Sequence, residues 1–168
     1  MYQIGDTVRY GTEGVCSIAE IREMKVGRDR SRYYVLRPVF RPSATVYVPL
    51  DNERLVGRIR PALSRQQVEA LLDGAGEPHL TWLEDPTERK NRFAALLCDG
   101  SSAELLDMAR LLWNKRRQLS AVGRRMRASD EQLLREAEKL LTDELALALE
   151  LPRQEIPAYL RKRLAPRD

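Results

Sequence analysis

Val15-Cys16-Ser17-Ile18-Ala19-Glu20-Ile21-Arg22-Glu23-Met24-Lys25-Val26 runs into Gly27-Arg28-Asp29-Arg30 and then Tyr33-Tyr34-Val35-Leu36. Alternating β-branched and aromatic residues on either side of a short polar, glycine-bearing segment read as two strands joined by a turn. The alternation slips between Ile18 and Ile21, which suggests a bulge or a strong bend, as in a small curling barrel. On the amino-terminal side, Thr7-Val8-Arg9-Tyr10 lies between Gly5 and Gly11 and reads as a short strand. On the other side, Arg41-Pro42-Ser43 turns the chain into Thr45-Val46-Tyr47-Val48, and Val56 to Arg60 supplies a fifth strand. Five short strands within residues 1–60 imply a small antiparallel β-barrel.

From Pro61 the texture becomes helical. Ser64-Arg65-Gln66-Gln67 is a capping box ahead of Val68, Leu71 and Leu72, in which the serine serves a first-turn amide and the glutamine reaches back. Asp85-Pro86-Thr87-Glu88 opens a second helix with an N-cap acid and a proline at the first helical position. A long helix is expected from about Ser102, with Leu105, Ala109, Leu112, Leu119, Val122 and Met126 in register and Gly123 as a possible interruption. Ser129-Asp130-Glu131-Gln132 reads as a further capping box, and a short last helix surrounds Tyr159 and Leu160, with Pro157 in its first turn. The expected class is therefore α+β with segregated parts: the barrel over 1–60 and an all-α domain of about five helices over 61–168.

The 168 residues are 43 % hydrophobic and 32 % charged, which rules out a disordered or collagenous chain. No apolar run approaches a bilayer span, and the start of the chain lacks the basic and apolar stretches of a signal peptide. A cytoplasmic protein is expected. Two cysteines, Cys16 and Cys98, do not make a disulfide scaffold, and the single histidine, His79, leaves no His/Cys cluster for zinc. Glycine-rich phosphate loops and the G-x-S-x-G elbow are missing. Neither a metal, a cofactor nor a small-molecule substrate is expected, and a binding protein is the reading these features share.

Charge is unevenly spread. Residues 86–127 hold ten Lys/Arg against four Asp/Glu, while residues 61–85 hold one against five and residues 128–168 seven against nine. Between Arg110 and Arg127 seven basic residues occur without a single acid. Such an island is what a phosphate backbone attracts through counterion release, although a solvated helix face has the same appearance.

Several strings in order and spacing resemble the CarD/CdnL family of bacterial RNA-polymerase-binding transcription regulators. They are Ile4-Gly5-Asp6-Thr7-Val8-Arg9-Tyr10, Gly14-Val15, Tyr34-Val35-Leu36, Thr45-Val46-Tyr47-Val48-Pro49 and Gly57-Arg58-Ile59-Arg60, then Leu111-Leu112-Trp113, Leu119-Ser120 and Glu144-Leu145-Ala146-Leu147-Ala148. The similarity covers roughly residues 1–160. It implies a Tudor-like barrel that docks on the polymerase β subunit and a helical domain that touches promoter DNA near the upstream edge of the bubble. That contact stabilises the open complex without reading a sequence. The barrel is also similar to the polymerase-interaction module of transcription-repair coupling factors, whose motor needs a P-loop that this chain lacks.

Carried over by position, the family's polymerase contacts fall on Met24, Val26 and Tyr47. Many relatives have arginine at the first and last of these. The family's tryptophan wedge, placed just before an Arg-aromatic pair, falls on Arg89, ahead of Arg92-Phe93. Trp82, seven residues upstream, is the possible substitute, and Trp113 sits at core spacing. Arg89, Lys90, Arg92, Arg116, Arg117, Arg124 and Arg125 are the candidate DNA contacts. The competing readings are a polymerase-binding interaction module without a productive DNA contact, and an enzyme whose site has no recognisable motif.

Overall fold

The computed structural model describes residues 1–76 and 78–164, so the last four residues of the expected helical domain lie outside it. The chain divides into two compact units, Met1–Ala62 and Leu63–Asp168.

The first unit is a five-stranded antiparallel sheet. Its strands are β1 (Thr7–Tyr10), β2 (Gly14–Val26), β3 (Asp29–Pro38), β4 (Val46–Pro49) and β5 (Ile59–Pro61), in spatial order β4-β3-β2-β1-β5. Val26 pairs with Asp29, so Gly27 and Arg28 alone join β2 to β3, and Gly27 has φ +65°, a conformation in which a Cβ would be strained. The register shifts between Ile18 and Glu20. This bulge lets Ile18 and Ile21, three apart, both serve the core, which accounts for the slipped alternation. Val48 from one edge strand and Ile59 from the other share one core with Val8, Cys16, Ile18, Tyr34 and Leu36. The sheet is thus curled around a single core, the Tudor-like form expected.

One expected element differs. Residues 53–56 form a single helical turn, α1 (Glu53–Val56), and the fifth strand begins only at Ile59. The Asn52 side chain accepts from the Leu55 amide at 3.1 Å and caps that turn. Val56 still packs against the core, from the end of a helical turn and not from a strand.

The second unit holds five helices among the described residues: α2 (Arg65–Asp73), α3 (Pro86–Asp99), α4 (Ser102–Ala121), α5 (Ala128–Leu149) and α6 (Ile156–Leu164). The central α5 packs against the other four, and its Leu134, Ala137, Leu141 and Leu145 are almost completely buried. Ser64 and Gln67 make the expected capping box, and Asp85 accepts from the Thr87 and Glu88 amides at 2.8 and 3.2 Å. A third box, Ser101 with Glu104, sets the start of α4. The Arg65 guanidinium donates to the Leu149 carbonyl, serving one of the orphan acceptors at the end of α5.

Two helix boundaries are not where the sequence pattern put them. The long helix stops at Ala121, because Gly123 turns the chain with φ +72°; Val122 is 69 % exposed, whereas Met126 is buried in the connecting segment. Ser129 makes no cap: α5 begins at Ala128, which places Asp130 inside its first turn with the side chain buried. That inward carboxylate has a partner on another helix, described below.

Candidate functional sites

Cross-strand register sorts the first unit's residues by face. Ile21, Tyr34 and Val48 are opposite one another on the core side, so Glu20, Val35 and Tyr47 lie on the other, outer side, where Val35 is itself buried. Counting by twos from Glu20 puts Arg22, Met24 and Val26 on that outer face as well. The three candidate polymerase contacts therefore share one face of the sheet. Tyr47 is 45 % and Val26 61 % exposed, and Met24 is half-buried. Val46 and Val48 point the other way, toward the core.

Tyr33, half-buried, belongs to the same outer row, opposite Arg22 and between the Met24 and Tyr47 positions. It was missed because its orientation depends on the bulge-shifted register and cannot be read from β3 alone. The patch runs along the outer end of the β2–β3 hairpin. Among the described residues, β1 and the turn before it follow β2 only as far as Ile18, so beyond that point this edge of β2 is uncovered. An apolar and aromatic patch beside an uncovered strand edge offers side-chain anchors and main-chain hydrogen bonds to the same partner. The nearby Arg22–Glu20 ion pair is almost half exposed on both sides and adds little to stability, about 0–1 kcal/mol.

In the second unit the candidate cations do not form one class. Lys90, Arg92, Arg116, Arg117, Arg124 and Arg125 are exposed. Arg116 faces Glu131 at 3.6 Å across the α4–α5 turn, and Arg117 donates to the Asn114 amide oxygen within α4. Arg124 and Arg125 stand on the α4–α5 connection, next to exposed Arg127 at the entry to α5. The fraction of this island that faces solvent thus gathers at one end of the helical unit, where α4 ends and α5 begins.

Arg89 is different: it is 3 % exposed. Its Nε and Nη2 donate to the two carboxylate oxygens of Asp130 at 2.8 and 2.7 Å, and its Nη1 donates to the Leu83 carbonyl at 2.7 Å. The cause is electrostatic. An arginine in the first turn of α3 sits at the positive end of its own helix dipole, whereas a carboxylate in the first turn of α5 is favourably placed. Burying both as a bidentate pair with a further carbonyl acceptor satisfies the fork of the guanidinium. The position that would carry a wedge therefore holds an internal clamp, and Lys90 and Arg92 are the exposed cations of that helix turn.

Trp82 lies in the loop before α3, half-buried. The Arg89 guanidinium carbon is 4.2 Å and the Lys115 ammonium 5.0 Å from its ring centroid. Trp82 and Lys115 also line an open groove of about 310 Å³ with Pro78, Glu84, Leu111, Asn114 and Gln118. The role of Lys115 could not be singled out from the sequence, where it is one cation among seven. Trp113 is a structural residue: its indole N–H donates to Glu138 at 2.6 Å and ties α4 to α5.

Burial pushes the Cys16 thiol up to about 12, so it stays protonated at neutral pH and behaves as an apolar core residue. On α2, Glu69 accepts from Tyr159 at 2.9 Å and from Arg163, both on α6; these bonds, the arginine's first, hold its carboxyl below the ordinary range. Among the described residues no group of His, Cys, Asp and Glu side chains is arranged to hold a metal ion, and no helix is long and apolar enough to cross a membrane.

Residues 2–62 match the CarD-like/TRCF RID domain family, and the amino-terminal unit belongs to it. This is the resemblance carried by Ile4–Tyr10 and Thr45–Pro49. The match is confined to the amino-terminal unit, 61 of the 168 residues. No curated protein matches the chain.

Proposed function

We propose that this protein is a transcription regulator that holds the RNA polymerase β subunit with the outer face of its sheet unit and touches promoter DNA with the cationic end of its helical unit. The family match over residues 2–62 carries the first half of the reading. Val26 and Tyr47, exposed on one sheet face with Met24 and Tyr33 in the same row, are the anchors. For the second half, the support is the exposed set of Lys90, Arg92, Arg116, Arg117, Arg124 and Arg125. Phosphate contacts of this type carry no sequence information, which suits a factor that leaves promoter choice to the polymerase.

Such a factor changes the open-complex population only by contacts made more strongly in that state than in the closed one. A differential of about 1–2 kcal/mol multiplies the open-to-closed ratio roughly 5- to 30-fold. A bacterial, cytoplasmic setting follows from the polymerase partner, with no cofactor or small-molecule substrate in the mechanism.

The internal position of Arg89 favours a second reading, in which the chain binds polymerase without a productive DNA contact. Copurification with polymerase, comparing wild type with Tyr47→Asp, tests the common part. Binding to promoter fragments over a salt series separates the two readings. A steep decrease in affinity with salt supports the DNA-contacting regulator, and weak binding with a flat dependence supports the interaction module.

A further inference from the structure

We propose that two copies of this chain pair through the open edge of β2, antiparallel and centred on Met24, and that this pairing withholds the edge from the polymerase. The second clause rests on the polymerase reading above; the first stands without it.

The directions of the backbone hydrogen bonds define the edge. Ile18 turns toward the segment before β1, donating to the Asp6 carbonyl at 2.9 Å and accepting from the Gly5 amide at 2.8 Å. The register then shifts between Ile18 and Glu20, so the residues that face this side beyond the bulge are Ile21, Glu23 and Lys25. Strand β3 gives the same answer independently. The Arg32 carbonyl accepts from the Leu50 amide at 2.9 Å, on the side away from β2. The Glu23–Arg32 pair is therefore a non-hydrogen-bonded one, and the Glu23 backbone faces outward. Pairing with β1 ends at Ser17, and among the described residues no other strand continues along this side of β2. Glu23 and Lys25 are exposed. An open row of backbone donors and acceptors is a template for a further strand.

The sequence of this edge is complementary to itself. With a two-fold axis at Met24, Glu23 stands opposite Lys25 of the second copy, and Lys25 opposite its Glu23. All four residues face the shared edge, so each pair exchanges two main-chain hydrogen bonds as well as opposite charges. Met24 meets its counterpart in a close, non-hydrogen-bonded pair, which joins the apolar rows of the two outer faces. An axis at Arg22, Glu23 or Lys25 would set a charge against itself, and one at Ile21 would run the second copy into the bulge beside Ile18. Within the hairpin, Lys25 also stands directly opposite Arg30, a like-charge pair that is unfavourable by itself. A carboxylate from the second copy on the other side of Lys25 offsets it. A lone edge lysine repels a second strand; the glutamate two positions before it makes the same edge accept its own copy.

The test uses the full chain in sedimentation velocity over a concentration series, where a monomer–dimer equilibrium is expected. Glu23→Lys and Lys25→Glu each set like charges opposite one another at both ends of the pairing, and each alone should weaken self-association roughly tenfold. A mixture of the two variants should associate as well as wild type, because each copy supplies the charge the other lacks. The double variant Glu23→Lys, Lys25→Glu should recover association too, which a damaged fold would not. At a concentration where wild type is dimeric, each single variant should bind polymerase more tightly than wild type, and mixing the two should remove that gain. A wild-type monomer at every concentration, with polymerase still bound, would overturn the pairing and leave the polymerase reading standing. A dimer indifferent to both single variants would overturn this register. Charge-dependent pairing with equal polymerase affinity in wild type and single variants would overturn the withholding, and pairing without polymerase binding by any of these proteins would overturn the polymerase reading itself.

Discussion

On the sheet unit two large apolar residues, Val26 and Tyr47, stand in solvent on one face of the sheet, and the core behind them is built from Val8, Ile18, Leu36 and Val48. On the helical unit the solvent-facing set at the end of α4 is cationic and holds no comparable apolar row, and Trp82 is half-covered by two cations. Exposed apolar rows suit a protein partner, whose surface can exclude water from them. Exposed cations suit a polyanion. The difference assigns the two partners of the proposed regulator to different units, so each binding activity can be removed without the other.

The largest effect is expected from the buried ion pair. Asp130→Ala leaves the Arg89 charge buried and unpaired, which costs about 3–5 kcal/mol, and the thermal unfolding of the helical unit should move down accordingly. Replacing both partners at once with apolar residues of similar volume should recover most of that loss, so the single and double variants together separate a stranded charge from lost packing. Next is Tyr47→Asp. An interface anchor of this kind contributes at least about 2 kcal/mol, so polymerase affinity should decrease some thirtyfold while the melting profile and DNA binding are unchanged. Equal loss of DNA binding would remove the division of labour between the units.

The Arg124→Ala, Arg125→Ala double variant is expected to act more weakly and on the other side. The slope of log affinity against log salt should become shallower by roughly 2 for duplex DNA, with polymerase binding unaffected. The smallest effect concerns α6. Because Arg163 and Tyr159 hold the Glu69 carboxyl below its ordinary value of 4.5, its contribution to folding is present in full above that value and is lost as pH decreases through the lowered one. Unfolding midpoints measured from neutral pH into the acid range should show a shallow acid loss that Glu69→Gln removes. At neutral pH, where the contribution is present in full, the wild type should be slightly the more stable, and the two proteins should converge in acid.

Much of this architecture was legible in the residues. The slip between Ile18 and Ile21 forecast the bulge, because the period of a strand is strict enough for one misplaced residue to show. Ser64/Gln67 and Asp85-Pro86 placed two helix starts, since caps are local chemistry. The failures were also local competitions decided elsewhere. Ser129 resembled a cap, but Asp130 gains more from Arg89, forty-one residues away, than Ser129 would from the first-turn amides. Val122 kept helical spacing with Leu119, yet Gly123 ended the helix before that spacing could be used. Arg89 was indistinguishable from Lys90 and Arg92 in a basic run, because only a tertiary partner separates an inward cation from a solvated one. Tyr33 needed the cross-strand register before its face was known.

The central claim is that one chain joins polymerase to DNA through two separate surfaces and thereby favours the melted state. The most direct measurement is the lifetime of an open promoter complex formed with the organism's own polymerase, with and without the protein, alongside Tyr47→Asp and the Arg124/Arg125 double alanine variant. The account predicts a longer lifetime with the intact chain and loss of most of the extension in either variant. An unchanged lifetime, with the intact protein bound to polymerase in the same samples, would contradict it.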